Sequence, residues 1–199
     1  NRPSQGSGIM PGDIKYKDLN GDKKIDQYDR TYIGDPYIPQ IVYGFGLSAK
    51  YKRWDFSVYF QGVSKVSIYM NDIHPFGVYH KNVLGFVAKD YWSESNPNPN
   101  AAYPRLSHTD GRDNTEVLSS YWLRDGAFLR LKNLEIGYSF KWMRVYLSSA
   151  NLLTFTPFKH WDPELGGYDN KPESSSANRG NGLRYPLQKI VNIGAQFNF

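Results

Sequence analysis

The amino-acid sequence predicts an all-β fold, an antiparallel transmembrane β-barrel segment with long loops. Apolar and polar residues alternate with a period of two in five segments, which is typical of strands with one apolar face. Very short connections between these segments alternate with very long ones, as they do in membrane barrels. The polar positions carry Gly, Asn, Gln, Ser and Tyr more often than Lys or Glu, which indicates a hydrated lumen rather than a fully exposed sheet face.

Five membrane strands are predicted, at residues 41–51, 54–65, 124–140, 142–153 and 187–199. The first two form a hairpin around the polar turn Lys52–Arg53. In the third, Leu129 and Leu131 lie on the opposite parity from Leu134, which predicts a bulge near Lys132–Asn133. Each strand has the ~9–11 residues that cross a bilayer. Five strands cannot close a barrel, for which ~8 is the usual minimum, so this piece needs strands from elsewhere.

The remaining residues are predicted to form loops. Residues 1–40 are expected to form an irregular extracellular loop. Within residues 41–199, which carry the strands, two long extracellular loops are expected at about 69–120 and 155–185. A weak helical period at 82–92 allows a short loop helix. Structureless connections of this length are unusual in a compact soluble domain. The chain also ends on two alternating Phe residues, which suit the aromatic girdle of a barrel.

The composition excludes several classes of protein. The 199 residues include 24 Lys and Arg, 19 Asp and Glu and no cysteine, so the formal net charge is +5. The lack of cysteine excludes disulfides, Cys-zinc sites and thiol nucleophiles. No apolar run approaches the ~18 residues of a membrane helix. The basic residues are scattered and form no RNA-recognition signature, so no nucleic acid partner is expected. Residues 1–12 lack an initiating Met and an apolar signal core, as expected of a fragment.

A calcium loop is predicted near the start of the chain, where oxygen-bearing residues have the required spacing. Hard Ca²⁺ prefers oxygen ligands, and this spacing curls side-chain oxygens and one backbone carbonyl around a single point. The candidate ligands are Asp18, Asn20, Asp22, Lys24 (through its carbonyl), Asp26 and Asp29. Lys23 replaces the usual turn-forming Gly, and Asp29 replaces a longer Glu. The alternative is a polar Asx turn without an ion. Bound Ca²⁺ would rigidify the loop rather than perform chemistry.

No catalytic residue is predicted. The four His residues form no HExxH arrangement, and no G-x-S-x-G elbow is present; they are His74, His80, His108 and His160. Asp162 and Glu164 could flank a glycosidic bond, but two solvated loop charges are the expected interpretation. Loop aromatics could stack on a sugar or a peptide, and packing within the loops is preferred; they are Tyr91, Trp92, Tyr103, Tyr121, Trp122, Trp161 and Tyr168.

Ordered motifs along the chain resemble the C-terminal part of SusC/RagA-like TonB-dependent outer-membrane transporters. The first is the run GDIKYKDLNGD at 12–22, which continues through Ile25, Asp26, Asp29, Arg30, Ile33 and Gly34. Similar pieces occur at 43–45, 55–62 and 128–134, and at the terminal Phe199. The resemblance covers essentially the whole chain.

This resemblance implies the last five strands of a 22-stranded barrel, with the remaining strands and an N-terminal plug upstream. It implies energised import of oligosaccharides or peptides across the outer membrane of Bacteroidetes-type bacteria. A SusD-like surface lipoprotein would act as the lid, TonB would act through the plug, and outer-membrane lipid would surround the strands. Phe199 resembles the terminal aromatic residue that the outer-membrane insertion machinery reads as an assembly signal.

Two rival functions remain open from the sequence. A soluble secreted calcium-binding β-module that binds carbohydrate would also show alternating strands, because a soluble sandwich has one buried face. A passive porin-like channel would share the barrel but lack a plug and a TonB-contacting segment upstream.

Overall fold

The computed structural model describes residues 2–70, 84–106, 117, 119–166 and 185–197. The main strands form a five-stranded antiparallel sheet in the order β1-β2-β5-β6-β7, and β3 and β4 form a separate two-stranded sheet. The strands are β1 Ile41–Tyr51, β2 Trp54–Ser64, β3 Ser67–Tyr69, β4 Leu123–Asp125, β5 Phe128–Ser139, β6 Met143–Phe155 and β7 Ile190–Phe197. The helices are α1, Gly85–Lys89, and the 3-10 turns Gln27–Asp29, Ser120–Trp122 and Pro163–Gly166. None of these helices is long and apolar enough to cross a membrane.

One face of the five-stranded sheet is predominantly apolar. Side chains alternate between the two faces of a sheet. The register of the five strands aligns their apolar residues on the same face, in rows that run across the strands. The middle row consists of Leu47, Val58, Leu134, Ser149 and Val191. Within the described residues nothing covers this row at its edges, where Leu47 is 62% and Val191 is 61% exposed. An apolar face of this size is stable when it lies in lipid.

Aromatic side chains gather at the end of the sheet that carries the short turns. Trp54 contacts Tyr138 with ring centroids 4.9 Å apart, and Tyr138 contacts Phe140 at 4.8 Å. Trp142 stacks on Phe197 at 5.9 Å. Such a belt is the arrangement that barrels place at a membrane interface.

The opposite face of the sheet is polar and holds an ion network across three strands. Arg144 on β6 donates through Nε to Asp55 on β2 at 3.0 Å and through Nη2 to Glu135 on β5 at 2.6 Å. The guanidinium lies over Gly137, where a Cβ atom would collide with it. The missing side chain at Gly137 therefore gives Arg144 the space to bridge both carboxylates.

The predicted strands are observed, and two of them begin later than predicted. The strands predicted at 41–51, 54–65 and 142–153 correspond closely to β1, β2 and β6. The strand predicted at 124–140 is interrupted, because Leu123–Asp125 pairs with β3 and the sheet strand begins at Phe128. Gly126 makes this break possible, since any side chain there would meet Ile68. The last strand begins at Ile190 rather than at residue 187, and residues 198–199 of the predicted strand lie outside the described residues.

Two smaller predictions are confirmed. The register of β5 shifts between Leu131 and Asn133 against both neighbouring strands, which is the predicted bulge at Lys132. A short helix, α1, lies within residues 82–92.

The chain divides into two compact units. The first consists of the described residues of Asn1–Gly34 and Tyr69–Leu123, and the second of those of Asp35–Ile68, Arg124–Asn170 and Gly182–Phe199. In the first unit, Met70, Val87, Tyr103 and Trp122 are buried. The second unit contains the five-stranded sheet.

Candidate functional sites

The predicted calcium loop has the backbone course that such a loop requires at its sharp turn. The carboxylate of Asp18 accepts the N–H groups of Gly21 at 2.6 Å and Lys23 at 2.8 Å. Lys23 has φ 67°, the left-handed conformation that Gly adopts most easily. The turn at this position therefore forms although its residue is Lys.

The other candidate ligands also bind backbone N–H groups. Asn20 accepts from Asp22 at 2.9 Å, Asp22 accepts from Lys24 at 2.8 Å, and Asp26 accepts from Tyr28 at 2.8 Å. Within the described part of the chain, no three His, Cys, Asp or Glu side chains lie close enough together to hold a metal ion. The residues thus have the oxygen chemistry that Ca²⁺ needs, but their side chains form Asx turns. Calcium binding stays a prediction.

Asp29, at the last ligand position, closes the loop. Its carboxylate accepts the N–H groups of Asp26 at 2.9 Å and Leu19 at 2.7 Å. These two hydrogen bonds, that from Asp26 first, hold the pKa of Asp29 below its ordinary value. Asp29 is therefore ionised at neutral pH and supplies a charged oxygen group.

A buried arginine connects β5 to the loop after β6. Arg130 is 2% exposed and donates through Nη2 to Asp162 at 2.5 Å and to Glu164 at 3.1 Å. Its guanidinium also lies 5.5 Å from the centre of the Phe128 ring. The prediction that Asp162 and Glu164 are both solvated loop charges fails for Asp162, whose side chain is only 13% exposed beside its non-local partner. Glu164 keeps contact with water at 30% exposure although it also binds Arg130. Their joint ion pair with Arg130 gives them a structural role.

The first unit contains a cavity of about 560 Å³. Its lining includes Lys15, Lys17, Trp92, Asn98, Ser119 and Tyr121. Arg105 fixes one wall of the cavity. Its Nη2 donates to the carboxylate of Asp13 at 3.3 Å, and its backbone N–H donates to the carbonyl of Gly12 at 3.0 Å. Gly12 has φ 89° and lies flat against the Trp92 ring, so a Cβ atom there would displace the indole.

Four of the loop aromatics, Tyr103, Tyr121, Trp122 and Trp161, pack on neighbouring rings, in agreement with the preferred packing within the loops. Trp122 contacts Tyr121 at 4.8 Å and Tyr103 at 5.5 Å between ring centroids. Trp161 contacts Phe158 at 4.8 Å. Tyr168 lies outside the described residues.

The remaining predicted residues are placed as follows. His160 packs on Phe158 at 5.4 Å, and burial lowers its pKa, so it is neutral near pH 7. Outside the described part of the chain lie His74, His80, His108 and Phe199. The assembly role of Phe199 therefore stays a prediction.

Three curated relatives align with nearly the whole chain. TonB-dependent receptor P26 of Formosa agariphila is 30% identical over 94% of this chain, and TonB-dependent receptor P3 of the same organism is 28% identical over 95%. TonB-dependent receptor P39 is 28% identical over 96%. The chain spans about a fifth of the length of these relatives, 20%, 19% and 19% respectively. No protein-family model matches the chain.

Solved structures show the same fold. The RagAB peptide transporter matches 87% of this chain with a TM-score of 0.59 and 24% identity, and the chain covers 18% of it. The open-open state of the RagAB peptide importer matches 89% with a TM-score of 0.58, and the chain covers 19% of it. These comparisons confirm the predicted resemblance to RagA-like TonB-dependent transporters, the antiparallel barrel fold and the outer-membrane localisation.

Proposed function

We propose that this chain, a homologue of TonB-dependent receptors over 95% of its length, forms the last five strands of a 22-stranded outer-membrane transporter, together with their extracellular loops. The observation that carries this proposal is the single five-stranded sheet with one exposed apolar face and one polar face. Among the described strands, β1 and β7 each pair on one side only. Unpaired backbone groups cost several kcal/mol each in lipid, so both edges require strands from the rest of the protein.

The transporter imports oligosaccharides or peptides with energy from TonB, which acts through a plug upstream of this chain. A SusD-like lipoprotein covers the extracellular side. Support comes from the receptors of Formosa agariphila and from RagAB, whose names give TonB dependence and peptide import, respectively. These relatives are receptors and a transporter, which favours transport over catalysis for this chain as well.

Cell fractionation and uptake test this function. The full-length protein should sediment with outer membranes and require detergent for extraction. Uptake of labelled glycans or labelled peptides by cells that express it should stop when TonB is deleted. A protein that stays soluble after lysis without detergent would instead support the rival, a secreted calcium-binding module. Uptake that persists without TonB would support a passive channel.

We also propose that the loop from Asp18 to Asp29 binds one structural Ca²⁺ after its side chains turn inward. The left-handed turn at position 23 supports this, because it is the turn that a calcium loop needs. Ca²⁺ should slow proteolysis of the loop in the full-length protein. Lys23→Gly removes a cation next to the ligand oxygens that repels Ca²⁺, so it should tighten the calcium Kd about fivefold, equivalent to about 1 kcal/mol.

Lys52→Gly is the matched control for the calcium experiment. Lys52 is also left-handed, at φ 55°, but it lies in the turn between β1 and β2. Its replacement should leave the calcium Kd unchanged. If Ca²⁺ changes neither the melting temperature nor the proteolysis of the wild type and of Lys23→Gly, the loop is a polar turn without an ion.

A further inference from the structure

An extended segment, Ile14–Lys17, borders the cavity of the first unit and is already paired along one of its edges. The side-chain amide of Gln5 donates to the carbonyl of Ile14 at 2.9 Å and accepts the N–H of Tyr16 at 2.9 Å. In extended backbone a carbonyl and an N–H two residues apart face the same side. Gln5 therefore binds this edge as a neighbouring strand would.

No described strand pairs with the other edge of the segment. In an extended chain the backbone groups of Lys15 face away from those of Ile14 and Tyr16, and so away from Gln5. In the described part of the chain, no hydrogen bond involves the N–H or the carbonyl of Lys15. An open edge of this kind can accept an added strand.

The charge around the cavity is positive. Lys15 and Lys17 both border it, and neither forms an ion pair within the residues that the structure describes. Asp13 is the acidic residue of the lining, but its side chain is 3% exposed and bound to Arg105. The free charge that an occupant meets is thus that of two ammonium groups.

The volume and the aromatic lining of the cavity suit a short ligand. A volume of about 560 Å³ lies in the range of sites for small ligands. Trp92 and Tyr121 supply aromatic surface for an apolar side chain.

We propose that this cavity binds an acidic oligopeptide in extended form, by strand addition to the free edge at Lys15. Backbone pairs with Lys15 hold the peptide, its acidic side chains or carboxylate meet Lys15 and Lys17, and an apolar side chain lies against the aromatic wall. A neutral glycan has no alternating N–H and C=O groups for such an edge and no charge for the lysines. This inference rests on the proposed transport function and assigns peptides as its substrate class.

Peptide binding to the full-length transporter in detergent tests the proposal. The probe is a fluorescent tetrapeptide that alternates valine and glutamate. The double variant Lys15→Gln/Lys17→Gln should weaken its binding about tenfold, because two ion pairs are lost. The control Lys89→Gln/Lys141→Gln removes the same charge from exposed positions outside the cavity and should bind like the wild type. Circular dichroism confirms that both variants are folded.

A second probe separates strand addition from simple charge attraction. The same tetrapeptide with N-methylated backbone amides keeps its charge but cannot pair with a strand, so it should bind at least about tenfold more weakly. Equal binding of the two peptides, equal binding by the lysine double variant, or preferred binding of a neutral tetrasaccharide would each overturn the proposal. Fractionation with the outer membrane and TonB-dependent uptake are scored separately, so the transport function can stand if the peptide site fails.

Discussion

Replacing Arg130 with methionine is expected to release the loop after β6. The equilibrium constant for detachment of this loop from β5 should rise about a hundredfold. The substitution leaves Asp162 and Glu164 without a counter-charge, and loss of one partner from a buried ion pair costs roughly 3–5 kcal/mol. We expect the low end, about 3 kcal/mol, because Glu164 is 30% exposed and can turn towards water. The measurement is the rate of tryptic cleavage after Lys159 in the folded full-length protein.

Two further variants show whether charge is responsible. Arg130→Lys keeps the charge but loses the planar fork, so its cleavage rate should fall between those of wild type and Arg130→Met. The triple variant Arg130→Met/Asp162→Asn/Glu164→Gln has no uncompensated charge and should recover most of the protection. Unchanged cleavage in Arg130→Met would show that other contacts hold this loop.

Replacing Leu134 with arginine is expected to destabilise the inserted barrel by about 2–4 kcal/mol. Leu134 lies on the central strand β5 in the middle apolar row, so its side chain faces the lipid furthest from both interfaces. A charge at that depth loses its hydration. The result should appear as a lower urea midpoint in lipid vesicles and a lower outer-membrane level of the full-length protein.

Ser148→Arg is the matched control for Leu134→Arg. Ser148 lies on β6 opposite Glu135, on the polar face, where a new cation remains hydrated and near a carboxylate. It should cost less than about 1 kcal/mol. If the two arginine variants were equally stable, the assignment of the two faces of the sheet would be wrong.

Features that depend on neighbouring residues could be predicted from the sequence. The alternation in β1 and β2 and the polar turn between them fix a hairpin locally, and the parity change after Leu131 reveals the bulge. β3 and β4 were not predictable, because three residues are too few to show a period of two. They are strands only because β3 pairs with β4 in the folded chain.

Long-range contacts account for what the sequence could not predict. Arg130 gives no sign in its own strand that it will bind Asp162, since the two are far apart in the chain. The same holds for Asp13 with Arg105, which shapes the cavity. Gln5 looks like an ordinary loop residue until the chain folds and its amide takes the place of a strand beside Ile14. The alternation of polar residues along the strands predicted a face that lines the lumen. It did not predict that Arg144 on this face would bind Asp55 and Glu135.

The small sheet of β3 and β4 has a consequence for how these proteins diversify. It joins the residues that follow β2 to those that precede β5, with hydrogen bonds from Gly126 to Val66 at 2.9 Å and from Met70 to Trp122 at 2.9 Å. This pairing brings the two ends of the long connection together. Because the entropic cost of closing a loop grows only slowly with its length, additional residues in the connection add little to that cost. We expect residues 71–121 to be exchangeable together with residues 1–34, with which their described part forms one compact unit. A chimera that carries both corresponding segments of a relative should assemble in the membrane with a changed ligand preference, and failure to assemble would show that these segments are needed for folding.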